Sequence, residues 1–187
     1  MKVMTILGSP RKKGNTAAVL GMFEEIIAKN HEVDRINITD VDVKGCKGCY
    51  ACQKTSEEPG CVQKDDAVSI FERMMDADAV IYATPLYCWS FSAQIKALLD
   101  RHLCLVTGYL TPDHKSLVDS KKVALLVTCM GPVEKNADLI PGIFDRMFAF
   151  LKGDIAGKYI VPLCTTPDEL GDQAREIAEK MAGDIAG

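Results

Sequence analysis

The chain has 187 residues, 48% of them hydrophobic, which is the size of one domain with core enough to fold without staples. Its 22 Lys+Arg against 26 Asp+Glu give a formal charge of -4, without the basic excess that a phosphate backbone demands, so no nucleic-acid partner is expected. No apolar run approaches the roughly 20 residues of a membrane-spanning helix, and the stretch after Lys2 breaks at Gly8, too early for the roughly 7–15-residue core of a secretory signal; a cytoplasmic chain with no membrane partner is expected.

Residues 2–7 read as a short buried strand, 8–14 as a polar turn, and 15–29 as a helix on which Val19, Phe23, Ile26 and Ile27 share one face. A second strand follows over 32–38. A helix then opens near Asp65-Asp66, leading to a strand over 79–84 and a helix over 92–101. Residues 122–128 form the next buried strand, and Ile140, Phe144, Phe148 and Leu151 mark a helix with Pro141 in its first turn. The fifth strand is read over 158–163. Thr166-Pro167-Asp168-Glu169 then offers a capping box for a last helix whose stripe is Leu170, Ala174, Ile177, Ala178, Met181 and Ile185. Alternating strands and helices predict an α/β domain spanning 1–187, with a doubly wound, five-stranded parallel sheet and helices on both faces. It is either flavodoxin-like, with strand order 2-1-3-4-5, or the first half of a Rossmann fold.

Two connections, 39–64 and 102–120, exceed what such a domain needs, and long loops with no structure of their own are commonly functional. The first is a cysteine-rich insertion. It holds four of the eight cysteines, Cys46, Cys49, Cys52 and Cys61, within 16 residues.

The turn Gly8-Ser9-Pro10-Arg11-Lys12-Lys13-Gly14-Asn15-Thr16 joins the first strand to the first helix, at the sheet edge where open α/β folds bind ligands. Helix N-terminal N–H groups, the hydroxyls of Ser9 and Thr16, the Asn15 amide and the Arg11 guanidinium can surround a phosphate. The loop is neither a Walker loop nor G-x-G-x-x-G, and a solvated basic turn capped by Asn15 is the plain alternative. Two further loops end at the same edge in a flavodoxin order: Thr84-Pro85-Leu86-Tyr87-Cys88-Trp89 and Thr128-Cys129-Met130-Gly131-Pro132. They offer apolar and aromatic walls for a flat ring, although Tyr87 and Trp89 also suit a core or an interface.

Gly8-Ser9-Pro10-Arg11 with Gly14-Asn15-Thr16, then Thr84-Pro85-Leu86-Tyr87 leading to Ser92-Ala93-Gln94-Ile95-Lys96 and Asp100-Arg101, resembles the flavodoxin-like NAD(P)H-dependent FMN reductases over nearly the whole chain. The resemblance implies FMN, with its phosphate on Ser9, Arg11, Asn15, Thr16 and Ala17. It places the isoalloxazine against Pro85, Leu86, Tyr87, Cys88 and Trp89 and against Thr128, Cys129 and Gly131. The flavin would carry the chemistry, so no catalytic side chain is expected.

Three thiols at successive two-residue spacings followed by a fourth suit three corners of a 4Fe-4S cubane better than the two separated pairs usual for zinc. Gly45 and Gly48 would let N–H groups reach the sulfurs. Reduced thiols without metal, and a zinc site, are the other readings of the spacing. The run is similar to that of the iron-sulfur flavoproteins within the same family, although the eight residues between Cys52 and Cys61 slightly exceed that branch's interval. This likeness implies electron exchange between a 4Fe-4S cluster and FMN, NAD(P)H or ferredoxin as redox donor, and a homodimer or homotetramer. A clusterless NAD(P)H-dependent FMN or quinone reductase and a non-enzymatic phosphate-ligand or zinc-binding sensor are the rival functions. Cys104, Cys129 and Cys164 read as core, and His31, His102 and His114 as surface or helix-end residues.

Overall fold

The computed structural model describes residues 1–55 and 57–187. Strands form where apolar and β-branched residues run together: β1 (Lys2–Leu7), β2 (Glu32–Asn37), β3 (Ala79–Pro85), β4 (Val106–Thr107), β5 (Lys115–Ser116), β6 (Lys122–Thr128) and β7 (Asp154–Val161). The helices are α1 (Asn15–Ile27), α2 (Ala67–Asp76), α3 (Ala93–Leu99), α4 (Ile140–Leu151) and α5 (Gly171–Ala186). Five parallel strands make one sheet in the order β2-β1-β3-β6-β7, while β4 and β5 pair as a small antiparallel hairpin. Without the hairpin this is the 2-1-3-4-5 order of a flavodoxin-like fold.

The strand period of two sends alternate residues to opposite layers. Val3, Leu7, Ile81, Ala83 and Leu126 pack under α1 and α5, and Met4, Ile6, Tyr82, Leu125 and Val127 pack under α2, α3 and α4. Burial on both faces is why β1, β3 and β6 read as continuous apolar runs. The buried polar exceptions in these strands are Thr5, Thr84 and Thr128; Thr5 is fully buried and donates its hydroxyl to the Glu24 carboxylate at 2.5 Å, while Arg35 Nη1 donates to the other oxygen at 2.7 Å. No helix among the described residues is long and apolar enough to cross a membrane.

Four local expectations need correction. The last strand starts at Asp154, not 158: the pairing steps from Val123–Ile155 to Ala124–Gly157 and skips Ala156, and this irregularity, with Gly157 and Lys158 after it, cuts the short apolar pair Ile155-Ala156 off from the run that follows. It also ends at Val161, because Leu163 takes a left-handed φ of 57° and turns the chain away. The capping box at Thr166 does not form. Pro167–Glu169 makes its own 3-10 turn, Thr165 donates its hydroxyl to the Glu169 carboxylate, and α5 opens after the turn at Gly171, whose φ of +63° suits glycine. The connection 102–120 is a 3-10 turn plus the hairpin, whose two-residue strands are too short to show a period.

The fourth correction is partial: His102 takes a helix-end place just beyond α3, as expected, but is buried at 4% exposure and not at the surface. Its Nδ1 lies 3.0 Å from the Leu98 carbonyl and its Nε2 2.9 Å from the Tyr82 hydroxyl, an arrangement satisfied by the neutral Nδ1–H tautomer with Tyr82 donating. Burial pushes its pKa down from 6.5 to about 4. On acidification the unfolded chain therefore takes up this proton first. Stability is fully present above pH about 6.5 and is lost progressively as pH falls towards about 4, by on the order of 3 kcal/mol. Urea unfolding at pH 7 and pH 4.5 is expected to show this loss, and His102→Gln to flatten it. Equal pH dependence in both proteins would rule out the titration.

Candidate functional site

The carboxyl ends of β1, β3, β6 and β7 border one cleft of about 640 Å³ counting its open mouth, within the size range of small-molecule sites. Its first wall is the loop from β1 to α1. Gly8 starts that loop by donating its N–H to the Ala83 carbonyl at 2.7 Å and accepting the Ser92 hydroxyl. A Cβ on Gly8 would stand 2.7 Å from the Cβ of Ile95, so glycine is what lets α3 pack this close. Ser9 is buried and its Oγ accepts the Arg11 N–H at 3.1 Å, which curls the loop. The first helical hydrogen bond runs from Ala18 to Gly14 at 3.0 Å, so the N–H groups of Asn15, Thr16 and Ala17 precede it and are available to an anion.

Thr16 ties this wall to the third loop. Its buried hydroxyl lies 2.6 Å from that of Thr128 at the end of β6. Asn15 reaches the fourth loop, donating Nδ2 to the Thr165 carbonyl at 3.2 Å, and its Oδ1 is buried with no donor among the described residues. A buried acceptor left unpaired is costly, and a donor on a bound molecule would satisfy it.

The opposite wall is Pro85, Leu86 and Tyr87. Leu86 N donates to Thr128 O at 2.9 Å, Cys129 N to Val161 O at 3.0 Å, and Cys164 N to Cys129 O at 2.9 Å, so the sheet's ladder continues into the cleft and holds its walls. Beyond Tyr87 the chain reverses through paired Tyr87–Ser90 backbone bonds of 3.0 Å, with Cys88 at φ 47° and Trp89 at φ 60°. Two adjacent non-glycine residues in this region cost about 1–2 kcal/mol each, and such strain concentrates at functional sites. Burial pushes the Cys129 and Cys164 thiols up, so they border the cleft as neutral groups.

Nine of the residues singled out from sequence line the cleft: Ser9, Arg11, Asn15, Thr16, Pro85, Leu86, Tyr87, Thr128 and Cys129. Ala17 is buried behind the loop; Cys88 and Trp89 stand exposed at the tip of the turn; and Gly131 lies past Met130, where a Cβ would meet the Asn136 amide at 2.8 Å. Gly14 and Met130, which belong to two of the loops read as cleft walls, line it as well, and so do two residues the sequence reading misses, Cys164 and Thr165. The last two follow β7, a fourth strand end at the same edge, and that position is the signal that would have found them.

A second, smaller cavity of about 340 Å³ is bordered by Cys46, Cys49, Cys52 and Cys61 and closed by Arg101, Leu103 and Cys104 from the end of α3 and the turn after it. Left-handed backbone at Gly48 (φ 63°) and Tyr50 (φ 55°) winds the cysteine run around this space. Gly48 N donates to Cys46 Sγ at 3.4 Å and Gln53 Nε2 to Cys52 Sγ at 3.6 Å. Gln53 also anchors the segment to the body, through Nε2 to the carbonyls of Leu103 (3.1 Å) and Val106 (2.9 Å). Burial by itself raises the Cys61 thiol, but the Gln63 N–H and the Arg101 charge outweigh it and hold Cys61 below the usual thiol range. Cys104 is core, as its apolar context implies, yet its thiol also lies beside that of Cys61. Among the described residues no three Cys, His, Asp or Glu side chains stand close enough to hold a single ion. A cubane binds each cysteine through a different iron and so calls for a wider set.

Residues 1–139 match the family model described as NADPH-dependent FMN reductase. An iron-sulfur flavoprotein from Archaeoglobus fulgidus is 30% identical over 187 residues, covering 100% of this chain and 79% of the relative. One from Methanosarcina thermophila is 39% identical over 106 residues, 56% of this chain and 54% of the relative, so the match spans only about half of that protein. The NAD(P)H:quinone oxidoreductase from Methanothermobacter marburgensis superposes with a TM-score of 0.69 at 19% identity, over 100% of this chain and 96% of the other, a likeness of fold. With its sheet order, its strand-end cleft and both sequence matches, the chain belongs to the NADPH-dependent FMN reductase family of flavin-dependent oxidoreductases.

Proposed function

We propose that the cleft holds FMN and the smaller cavity a 4Fe-4S cluster on Cys46, Cys49, Cys52 and Cys61, making the chain an FMN-dependent oxidoreductase that exchanges electrons between the two. The observation that carries the flavin reading is the orphaned Asn15 Oδ1, buried in a cradle otherwise composed of anion donors. Phosphate takes the donors of that cradle, and a hydroxyl on the attached ribityl chain supplies the hydrogen that Oδ1 lacks. When bound, FMN supplies hydride and single-electron chemistry, and a 4Fe-4S cluster supplies single-electron transfer.

The chain's own residues then bind and orient. Ser9, Arg11, Asn15, Thr16 and the Ala17 N–H hold the phosphate. Pro85, Leu86 and Tyr87 form one ring wall, Thr128 and Cys129 the facing one, and Cys88, Trp89 and Gly131 border its outer rim. Among the described residues no acidic or basic side chain besides Arg11 lines the cleft, so the protein's part is placement and exclusion of water. Family membership supports a reduced nicotinamide as donor, with ferredoxin as the second candidate. Gly8 meets α3 through Ser92 at the helix's N-terminal cap, while the thiol cavity lies at the other end of α3, whose seven residues rise about 10 Å. A homodimer or homotetramer in which one subunit's thiol cavity faces another's cleft would shorten that path. Eight cysteines free of disulfides fit a reducing, cytoplasmic location.

Fluorescence titration with FMN and with riboflavin tests the cleft. The wild-type chain is expected to prefer FMN, and Trp89→Ala to weaken both flavins equally, by about 2- to 13-fold for a ring contact worth about 0.5–1.5 kcal/mol. Unchanged affinity for both flavins in that variant would make Trp89 a structural residue only.

A further inference from the structure

Arg101 is buried at 1% exposure and lies in the wall of the thiol cavity, at the opposite end of α3 from the flavin cleft. Its fork is fixed on the far side. Nη1 donates to Asp65 Oδ2 at 2.7 Å and to the Lys44 carbonyl at 2.9 Å, and Nη2 donates to Asp65 Oδ1 at 3.1 Å. The Asp65 carboxylate is itself fully buried and held by the N–H groups of Lys44 (3.1 Å) and Ala67 (3.3 Å). The guanidinium is therefore rigid. Of the two N–H groups these bonds leave over, the second on Nη2 and the one on Nε, the Nε–H is buried with no acceptor among the described residues, and Cys61 borders the same cavity beside the side chain. An unpaired buried donor on a clamped cation is out of keeping with a purely structural ion pair, which has every reason to satisfy it.

We propose that Arg101 is a positioning residue for the cluster site: its Nε–H donates to the Cys61 thiolate and so orients that ligand and favours the reduced cluster. This rests on the cluster reading given above. One-electron reduction adds a negative charge to the cluster, and a clamped N–H dipole and cation beside one sulfur stabilise the reduced form more than the oxidised form. Asp65 and the Lys44 carbonyl occupy the other side of the fork, so they fix where the charge sits without meeting the sulfurs.

The test uses the full chain, reconstituted anaerobically with iron and sulfide, as wild type, Arg101→Lys and Asp65→Asn. Arg101→Lys keeps the charge opposite Asp65 but lacks Nε. It is expected to retain FMN and iron while its reduced-to-oxidised cluster ratio, at a fixed solution potential, falls about tenfold, equivalent to a midpoint about 59 mV lower. Asp65→Asn, which keeps Nε, is expected to shift that ratio less. If the Arg101 variant does not fold, the wild-type chain labelled with ¹⁵N-arginine serves instead, because Arg101 is the arginine bordering the thiol cavity. Its reduced cluster is expected to show a coupled arginine nitrogen in pulsed paramagnetic resonance. An unchanged ratio in Arg101→Lys, or no arginine coupling in the wild type, would overturn the proposal with the cluster reading intact. A reconstituted wild type that takes up no iron would overturn the cluster reading, and this proposal with it.

Discussion

Replacing any one of Cys46, Cys49, Cys52 and Cys61 by alanine is expected to lower cluster iron from near four per chain to below one, while FMN stays bound. Each thiolate of a cubane holds its own iron, so the loss of one ligand opens a corner to solvent and oxidant. The flavin is spared because the cleft is built from strand ends and the N-terminus of α1 and shares no lining residue with the thiol cavity. The insertion does not come away as a whole. Gln53 holds it to the Leu103 and Val106 carbonyls, and the Arg101–Asp65 pair holds its other end, so the exposed run around Cys46 and Cys49 loosens first. Cys164→Ala is the control, since Cys164 borders the flavin cleft and not the thiol cavity. Iron and acid-labile sulfide assays beside flavin absorbance check this; iron loss in the control, or full iron in all four variants, would contradict it.

Arg11→Ala is expected to raise the dissociation constant of FMN by between about 10- and 150-fold, as for a charge-assisted hydrogen bond worth roughly 1.5–3 kcal/mol. Arg11 is exposed, and solvent screening places the effect towards the lower end. Riboflavin, which lacks the phosphate, is expected to lose almost nothing. Thermal unfolding of the flavin-free protein is expected to stay within about 0.5 kcal/mol of the wild type, because an exposed side chain is removed and no core volume is lost. An equal loss for both flavins would move Arg11 from the phosphate to the ring.

Much of this architecture is readable from sequence because burial on two faces writes itself as apolar runs, as in β1, β3 and β6. The edge strand β7 is read four residues late because Asp154 and Gly157 flank only two apolar residues, Ile155 and Ala156, and the pairing skips Ala156, so no strand period shows there. The phosphate loop is legible because it places backbone donors, hydroxyls and a guanidinium in one contiguous segment. Cys164 and Thr165 are not, since a Thr-Thr-Pro-Asp-Glu segment looks like the start of a helix when the sheet edge it sits on is unknown. The cysteine spacing is legible in the same local way. Arg101 and Cys104 approach that run only through the tertiary fold, from about forty residues further along the chain, and His102 is buried for the same reason: the turn after α3 folds inward onto Tyr82.

The most direct test of the account is the composition of the wild-type chain purified or reconstituted without oxygen in the presence of FMN, iron and sulfide. The account predicts one FMN per chain with near four iron and four sulfide, and a paramagnetic signal on reduction. Flavin with no iron would leave a clusterless reductase, and a chain that retains no flavin would contradict the assignment of the strand-end cleft itself.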